Sequence, residues 1–232
     1  MAELHALSAR GLTIGHEKRP VVSGLTFDLD VGSTLALVGG NGSGKTTLLR
    51  TLAGLIPALA GSVRVLGSEP SGAVRRIAWL GQFQNTNPLL PLRARDVVRM
   101  AFYPDRGLWG TIGQDDENAV DAALEFFGAA GFARKPISEL SGGQRQRVYL
   151  AYVTARRAAL VLMDEPLSNL DGGGMDLYAQ AVDRWKQQGV TVIVATHSVE
   201  DAAASDRTLL LEQGRWSFGS GLAHDQDRAH IH

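Results

Sequence analysis

Residues 39–46 read Gly39-Gly40-Asn41-Gly42-Ser43-Gly44-Lys45-Thr46, the pattern G-x-x-x-x-G-K-[ST]. The residue types in this string are set by a ligand rather than by packing. Glycine at 39, 40, 42 and 44 removes Cβ atoms, so the backbone can bend tightly and turn its N–H groups toward phosphate oxygens. Lys45 adds a mobile positive charge for β- and γ-phosphates, and Thr46 offers a hydroxyl to Mg²⁺. The flanks agree. Leu35-Ala36-Leu37-Val38 is a short apolar run of the buried-strand kind, and Thr47–Leu52 can continue as a helix whose N-terminal dipole faces the phosphates.

The 232 residues are 44% hydrophobic and 20% charged, with a net charge of −1, an ordinary globular composition long enough for one large core or two small ones. The near-neutral balance argues against broad nucleic-acid binding. The absence of cysteine excludes disulfides, thiolate zinc sites and cysteine nucleophiles, and fits a reducing compartment. No apolar run reaches the roughly 18 residues needed to span a bilayer. Met1-Ala2-Glu3-Leu4-His5 lacks the basic-then-apolar pattern of a signal peptide. Any membrane role is expected to come through a partner.

Strand-like segments come first, at Leu4–Leu7, Gly11–Ile14 and Leu25–Val31, the last alternating Leu25, Phe27, Leu29 and Val31 with polar residues. After the phosphate loop and its helix, strands are expected at Ser62–Val65 and Arg76–Leu80, and a loop at 85–91, which holds two prolines and two asparagines. From Arg93 to Arg157 the pattern is mostly helical, best in Asp116–Phe127 with Val120, Ala123, Leu124 and Phe127 on one face. Strand patterns return at Leu160–Met163 and Val190–Ala195 around a helix near Met175–Gln188. This order predicts a parallel sheet with helices on both faces, interrupted by a helical insertion.

Ala159-Leu160-Val161-Leu162-Met163-Asp164-Glu165 is an apolar strand ending in two acids, which suits a nucleotide site at the carboxyl edge of an open α/β sheet. Asp164 can hold Mg²⁺ through water, and Glu165 can orient or deprotonate an attacking water. Between the two motifs lies Leu140-Ser141-Gly142-Gly143-Gln144-Arg145-Gln146-Arg147. Taken alone, it is a helix start capped by Ser141 and followed by exposed basic residues, or a second anion-binding N-terminus. With the phosphate loop before it and the Asp164-Glu165 strand after it, the string resembles the signature motif of the ATP-binding-cassette (ABC) family. The resemblance covers nearly the whole chain.

That resemblance implies an α/β P-loop NTPase, an ABC-type nucleotide-binding domain with an N-terminal antiparallel β-subdomain and an inserted helical subdomain. It divides the chain into a catalytic core (1–87 and 159–220), a helical signature subdomain (88–158) and a flexible tail (221–232). The implied nucleotide set is residues 39–46 with Thr47, and Ser141, Gly142, Gly143 and Gln144 from the opposite subunit. Lys45, Glu165 and His197 form the implied catalytic set. Mg²⁺ would be held by Thr46 and Gln82, with Asp164 acting through water. Gln84 competes with Gln82 as the family's sensing glutamine, at poorer spacing. Ser168-Asn169-Leu170-Asp171 resembles the family's dimer-interface loop. His197, after Val190–Thr196, resembles the histidine that touches the γ-phosphate.

Several positions depart from the family pattern. Gly15-His16 stands where an aromatic residue often stacks on adenine; imidazole can stack but offers less area, so His16 is a candidate adenine platform or a plain loop residue. Gly172-Gly173-Gly174 is expected to loosen the start of the following helix. Gly81 replaces a frequent proline before Gln82, which predicts a more mobile loop. His230 and His232 offer metal-ligand chemistry, but a polar flexible terminus is the simpler reading.

The expected activity is ATP hydrolysis with Mg²⁺, driving transport through a separate polytopic permease on the cytoplasmic face of a prokaryotic membrane. The partners implied are a second nucleotide-binding subunit, forming a homodimer, and, for an importer, a solute-binding protein; no direct nucleic-acid contact is expected. Pro91–Met100 with Tyr103-Pro104 and Gly107-Leu108-Trp109 look most like importers of zinc, manganese or iron chelates. The alternatives are an exporter subunit, or a soluble ABC ATPase acting on nucleic acid or ribosomes. The latter typically carries paired cassettes, coiled coils or zinc-binding cysteines, none of which is present.

Overall fold

A computed structural model describes residues 5–81, 92–107, 110–197 and 199–220. In chain order the strands are β1 (His5–His16), β2 (Arg19–Asp30), β3 (Thr34–Val38), β4 (Ala60–Val65), β5 (Ile77–Leu80), β6 (Leu160–Asp164), β7 (Thr191–Thr196), β8 (Arg207–Glu212) and β9 (Arg215–Ser220). The helices are α1 (Lys45–Leu52), α2 (Pro70–Ala73), α3 (Ala94–Arg99), α4 (Tyr103–Arg106), α5 (Gln114–Phe126), α6 (Gly142–Ala155), α7 (Gly172–Gln187) and α8 (Val199–Ala204).

The strands form an antiparallel three-stranded sheet, β2-β1-β4, and a six-stranded sheet ordered β5-β6-β7-β3-β8-β9. The larger sheet is parallel from β5 through β8, and β9 is antiparallel at its edge. Successive strand residues point to opposite faces, and this alternation sorts the sheet's side chains between two cores. Val161, Met163, Val192 and Val194 face α3, α5, α6 and α7. Leu160, Leu162, Ile193 and Ala195 join Leu35 and Leu37 against α1 and the antiparallel sheet. With both faces covered, β6 and β7 are buried along their whole length, which explains their unbroken apolar runs.

Four expectations change. β1 continues through residues 8–10, where the sequence suggested a break, because it is paired with β2 on one edge and β4 on the other; register shifts around Gly11 absorb the irregularity. β2 begins at Arg19 rather than Leu25. The β8–β9 hairpin, absent from the sequence expectations, turns at Gln213-Gly214 (φ 49° and 82°). It places Phe218 in a stack on Phe27 of β2, with centroids 5.1 Å apart. The triple glycine does not delay α7: Asp171 Oδ1 accepts from Gly174 N at 2.8 Å, and the helix starts at Gly172.

The β1–β2 hairpin turns on Glu17 and Lys18 with φ of 47° and 66°. A two-residue loop with both φ positive favours Asn-Gly, and left-handed Glu and Lys are strained. Glu17→Asn with Lys18→Gly is expected to raise the unfolding free energy by about 1 kcal/mol. A higher urea midpoint at unchanged slope supports this, and an unchanged or lower midpoint contradicts it.

Candidate active site

The loop between β3 and α1 depends on a close backbone approach. A Cβ on Gly39 would come within 2.3 Å of the Leu211 carbonyl oxygen and 2.6 Å of Ser43 Oγ, so no other residue fits against β8 there. α1 then opens at Lys45, which is only 7% exposed. Its Nζ donates to the Gly39 and Gly40 carbonyls at 2.6 and 3.1 Å, folding the cation back over the loop. Ser43 Oγ is buried with no hydrogen-bond partner.

Parallel pairing brings the other motifs to the same edge. Val38 is in register with Thr196, and Asp164 with Ala195, so β3, β7 and β6 end side by side. Thr46 Oγ1 donates to Asp164 Oδ2 at 2.7 Å across 118 positions of sequence. Asp164 is 3% exposed, and its second oxygen, Oδ1, has no partner. Burial pushes its carboxyl above the ordinary range; the Thr46 bond opposes that rise, and the neighbouring Glu165 charge adds to it. A buried carboxylate oxygen without a donor, beside a hydroxyl, is the arrangement that a hard cation such as Mg²⁺ satisfies. The residues present therefore fit that ion.

Glu165 sits just past β6 in the left-handed region, φ 51°. Its N–H donates to the Ala195 carbonyl at 2.9 Å, and its own carbonyl accepts from Ser168 N and Oγ at 3.2 and 2.9 Å. The turn leaves Glu165 Oε1 4.0 Å from His197 Nδ1, with the imidazole largely exposed. His16 lies at the end of β1, where its Nε2 is 3.0 Å from Thr47 Oγ1, so its ring borders the first turn of α1. Gln82, Gln84 and the tail histidines lie outside the described residues.

The signature residues are built differently. Ser141 Oγ accepts from Gln144 N at 3.2 Å while Gln144 Oε1 accepts from Ser141 N at 3.1 Å, a reciprocal cap on α6. A Cβ on Gly143 would meet the Asn169 carbonyl oxygen at 2.8 Å, and one on Gly142 the Asn169 side chain at 3.3 Å. The signature thus packs on the 168–171 loop of its own chain. Two further side chains of the signature string, given no role of their own by the sequence, secure that contact. Gln146 Nε2 donates to the Pro166 carbonyl at 2.6 Å, and Arg147 Nη2 to Asp171 Oδ1 at 2.7 Å. Their spacing of three and four residues from Gly143, one helical turn on the same face, was the available signal.

A family profile described as ABC transporter matches residues 22–168, more than half of the chain. The hemin import ATP-binding protein of Streptomyces coelicolor is 41% identical over 91% of this chain and 76% of its own length. The zinc transport system ATP-binding protein of Treponema pallidum is 34% identical, covering 90% and 79%. A structure described as an inward-facing metal-chelate type ABC transporter aligns with a TM-score of 0.80 at 29% identity, over 93% of this chain and 83% of that one. A dimeric ATP-binding cassette in a post-hydrolysis state with ADP and Pi aligns with a TM-score of 0.77 at 25% identity, over 91% and 97%. With a phosphate loop, a signature helix and an acid-tipped strand in one sheet, this chain belongs to the ABC transporter family of ATPases.

Proposed function

We propose that the chain hydrolyses ATP to power import of a metal ion or an iron chelate through a separate membrane permease. The observation that carries the catalytic part is the Thr46–Asp164 contact with its unpartnered Oδ1, beside Glu165. The cargo class rests on the similarity to hemin and zinc import subunits. No helix among the described residues is long and apolar enough to cross a membrane. In this reading the chain attaches to the cytoplasmic face through the permease, and a solute-binding protein delivers cargo.

Two copies act head to tail. The loop at 39–46 cradles the phosphates of ATP, with Thr47 and His16 at its border. Ser141, Gly142, Gly143 and Gln144 of the second copy close over the γ-phosphate, and Ser168–Asp171 lie in the interface. Thr46 and Gln82 would hold Mg²⁺, with Asp164 within reach of it through water, and the ion would supply neutralisation of charge on the phosphate oxygens. Glu165 takes a proton from water as the water oxygen bonds to the γ-phosphorus and the bond to the ADP oxygen breaks. Lys45 and His197 stabilise charge on the transferring group. Closure follows ATP because the open pair lacks the contacts that the γ-phosphate supplies.

Glu165→Gln is expected to bind ATP and dimerise while turning over about 10²-fold or more slowly, the usual size of a general-base effect. Purified with ATP from detergent-solubilised native membranes, it should carry a polytopic membrane protein. Near-normal turnover removes Glu165 from its role, and recovery of ribosomes or DNA-bound factors alone overturns the transport reading. Asp164 gives a second test. Because burial raises its proton affinity in the fold, its ionised form opposes folding increasingly as pH rises above the ordinary carboxylate range. Asp164→Asn should therefore melt higher than the parent at pH 8 without nucleotide. It should also lose most of the stabilisation by Mg-ATP; a lower melting point with retained Mg-ATP stabilisation contradicts the assignment.

A further inference from the structure

We propose that a cleft at the opposite edge of the parallel sheet, lined by Arg75, Arg76, Arg106, Arg156 and Arg157, binds a phosphate-bearing anion. Ala159 precedes β6 and Asp164 ends it, so the cleft opens away from the nucleotide residues. Its volume is about 400 Å³. Five arginines against Asp105 and Asp116 leave three positive charges in excess.

The two carboxylates are committed. Asp105 pairs with Arg156, and Asp116 accepts from Arg106 at 3.0 Å and from Gly113 N at 3.3 Å. Arg156 chiefly, with Arg75 and Arg106 adding to it, holds Asp105 below the usual carboxylate range, so it stays ionised and paired. The Arg156 side chain is only 3% exposed, yet its Nε has no hydrogen-bond partner. Arg76 donates to the Leu66 carbonyl at 3.2 Å. Among the described residues no ion pair reaches Arg75, Arg76 or Arg157. The carboxyl end of α6 supplies roughly half a negative charge at most, which does not neutralise them. Arg157 is held at φ 49°, a left-handed conformation that costs of order 1 kcal/mol and that packing must sustain.

The three positive charges in excess around one cleft repel one another, and an anion between them relieves that repulsion. A guanidinium fork binds phosphate oxygens in pairs, and a phosphate has more oxygens than a carboxylate for several such groups to share. The source is a free polyphosphate or a lipid headgroup, which share that chemistry. Nothing in the proposal depends on ATP hydrolysis.

The test uses the full chain saturated with ADP, so that the loop at 39–46 is filled, titrated calorimetrically with inorganic pyrophosphate. Saturable binding is expected, weakened about tenfold or more in Arg75→Gln with Arg157→Gln. Both residues are exposed, so an unchanged melting profile is expected. Sedimentation with phosphatidylcholine vesicles, with and without phosphatidic acid, separates the sources. Loss in the double variant of phosphatidic acid-dependent sedimentation assigns a headgroup, and pyrophosphate binding without vesicle binding assigns a free phosphate. Neither form of binding, or equal binding by the double variant, overturns the proposal.

Discussion

Parallel pairing of β3, β7 and β6 is the constraint on which the site depends. It sets three distant stretches of chain side by side with their carboxyl ends flush, Val38 against Thr196 and Asp164 against Ala195. Everything chemical then follows within a few residues of those ends. The phosphate loop leaves β3, Asp164 ends β6 with Glu165 just past it, and His197 follows β7 directly. The buried sheet beneath is apolar on both faces, so charge placed at its edge is poorly screened. Asp164 feels this most: it is nearly inaccessible, has one oxygen bound by Thr46 and leaves the other unmatched. Such a group opposes stability in the empty protein and becomes matched when a cation arrives, a conflict typical of functional positions.

A second layer of contacts ties the signature helix to the loop that follows Glu165. Gly143 lies against the Asn169 backbone, Gln146 holds the Pro166 carbonyl and Arg147 holds Asp171. Asp171 in turn caps α7. A force on Ser141 or Gly143 therefore reaches residues 165–171 through hydrogen bonds and direct packing rather than through a flexible linker. In a head-to-tail pair this would connect the nucleotide touched by one chain's signature with the Glu165 of that same chain.

The strings Gly39–Thr46 and Asp164-Glu165 were legible because such residues are unusual beside apolar strands, although the close approach of Gly39 to β8 shows that packing also constrains the loop. The buried strands β3, β6 and β7 were legible because both faces are covered and every residue is apolar or nearly so. The β8–β9 hairpin was harder to see. Its edge strand is half exposed, and its apolar residues find partners such as Phe27 that lie far away in sequence. The start of α7 was misjudged from glycine propensity, which a single aspartate cap overrides. The arginine cleft was invisible for a different reason. Its residues come from four segments, around 75, 105–116, 156 and 159, and only the fold brings their charges together.

The central claim is that one chain's phosphate loop and a second chain's signature form one site. Because the chain has no cysteine, two introduced thiols are the only ones in the experiment. Asn41→Cys in one copy and Ser141→Cys in another, both carrying Glu165→Gln, would be mixed and treated with a short bis-maleimide. The account predicts a covalent dimer that forms only in the mixture and only with Mg-ATP. A mixture that stays monomeric with Mg-ATP, or links equally without nucleotide, would contradict it.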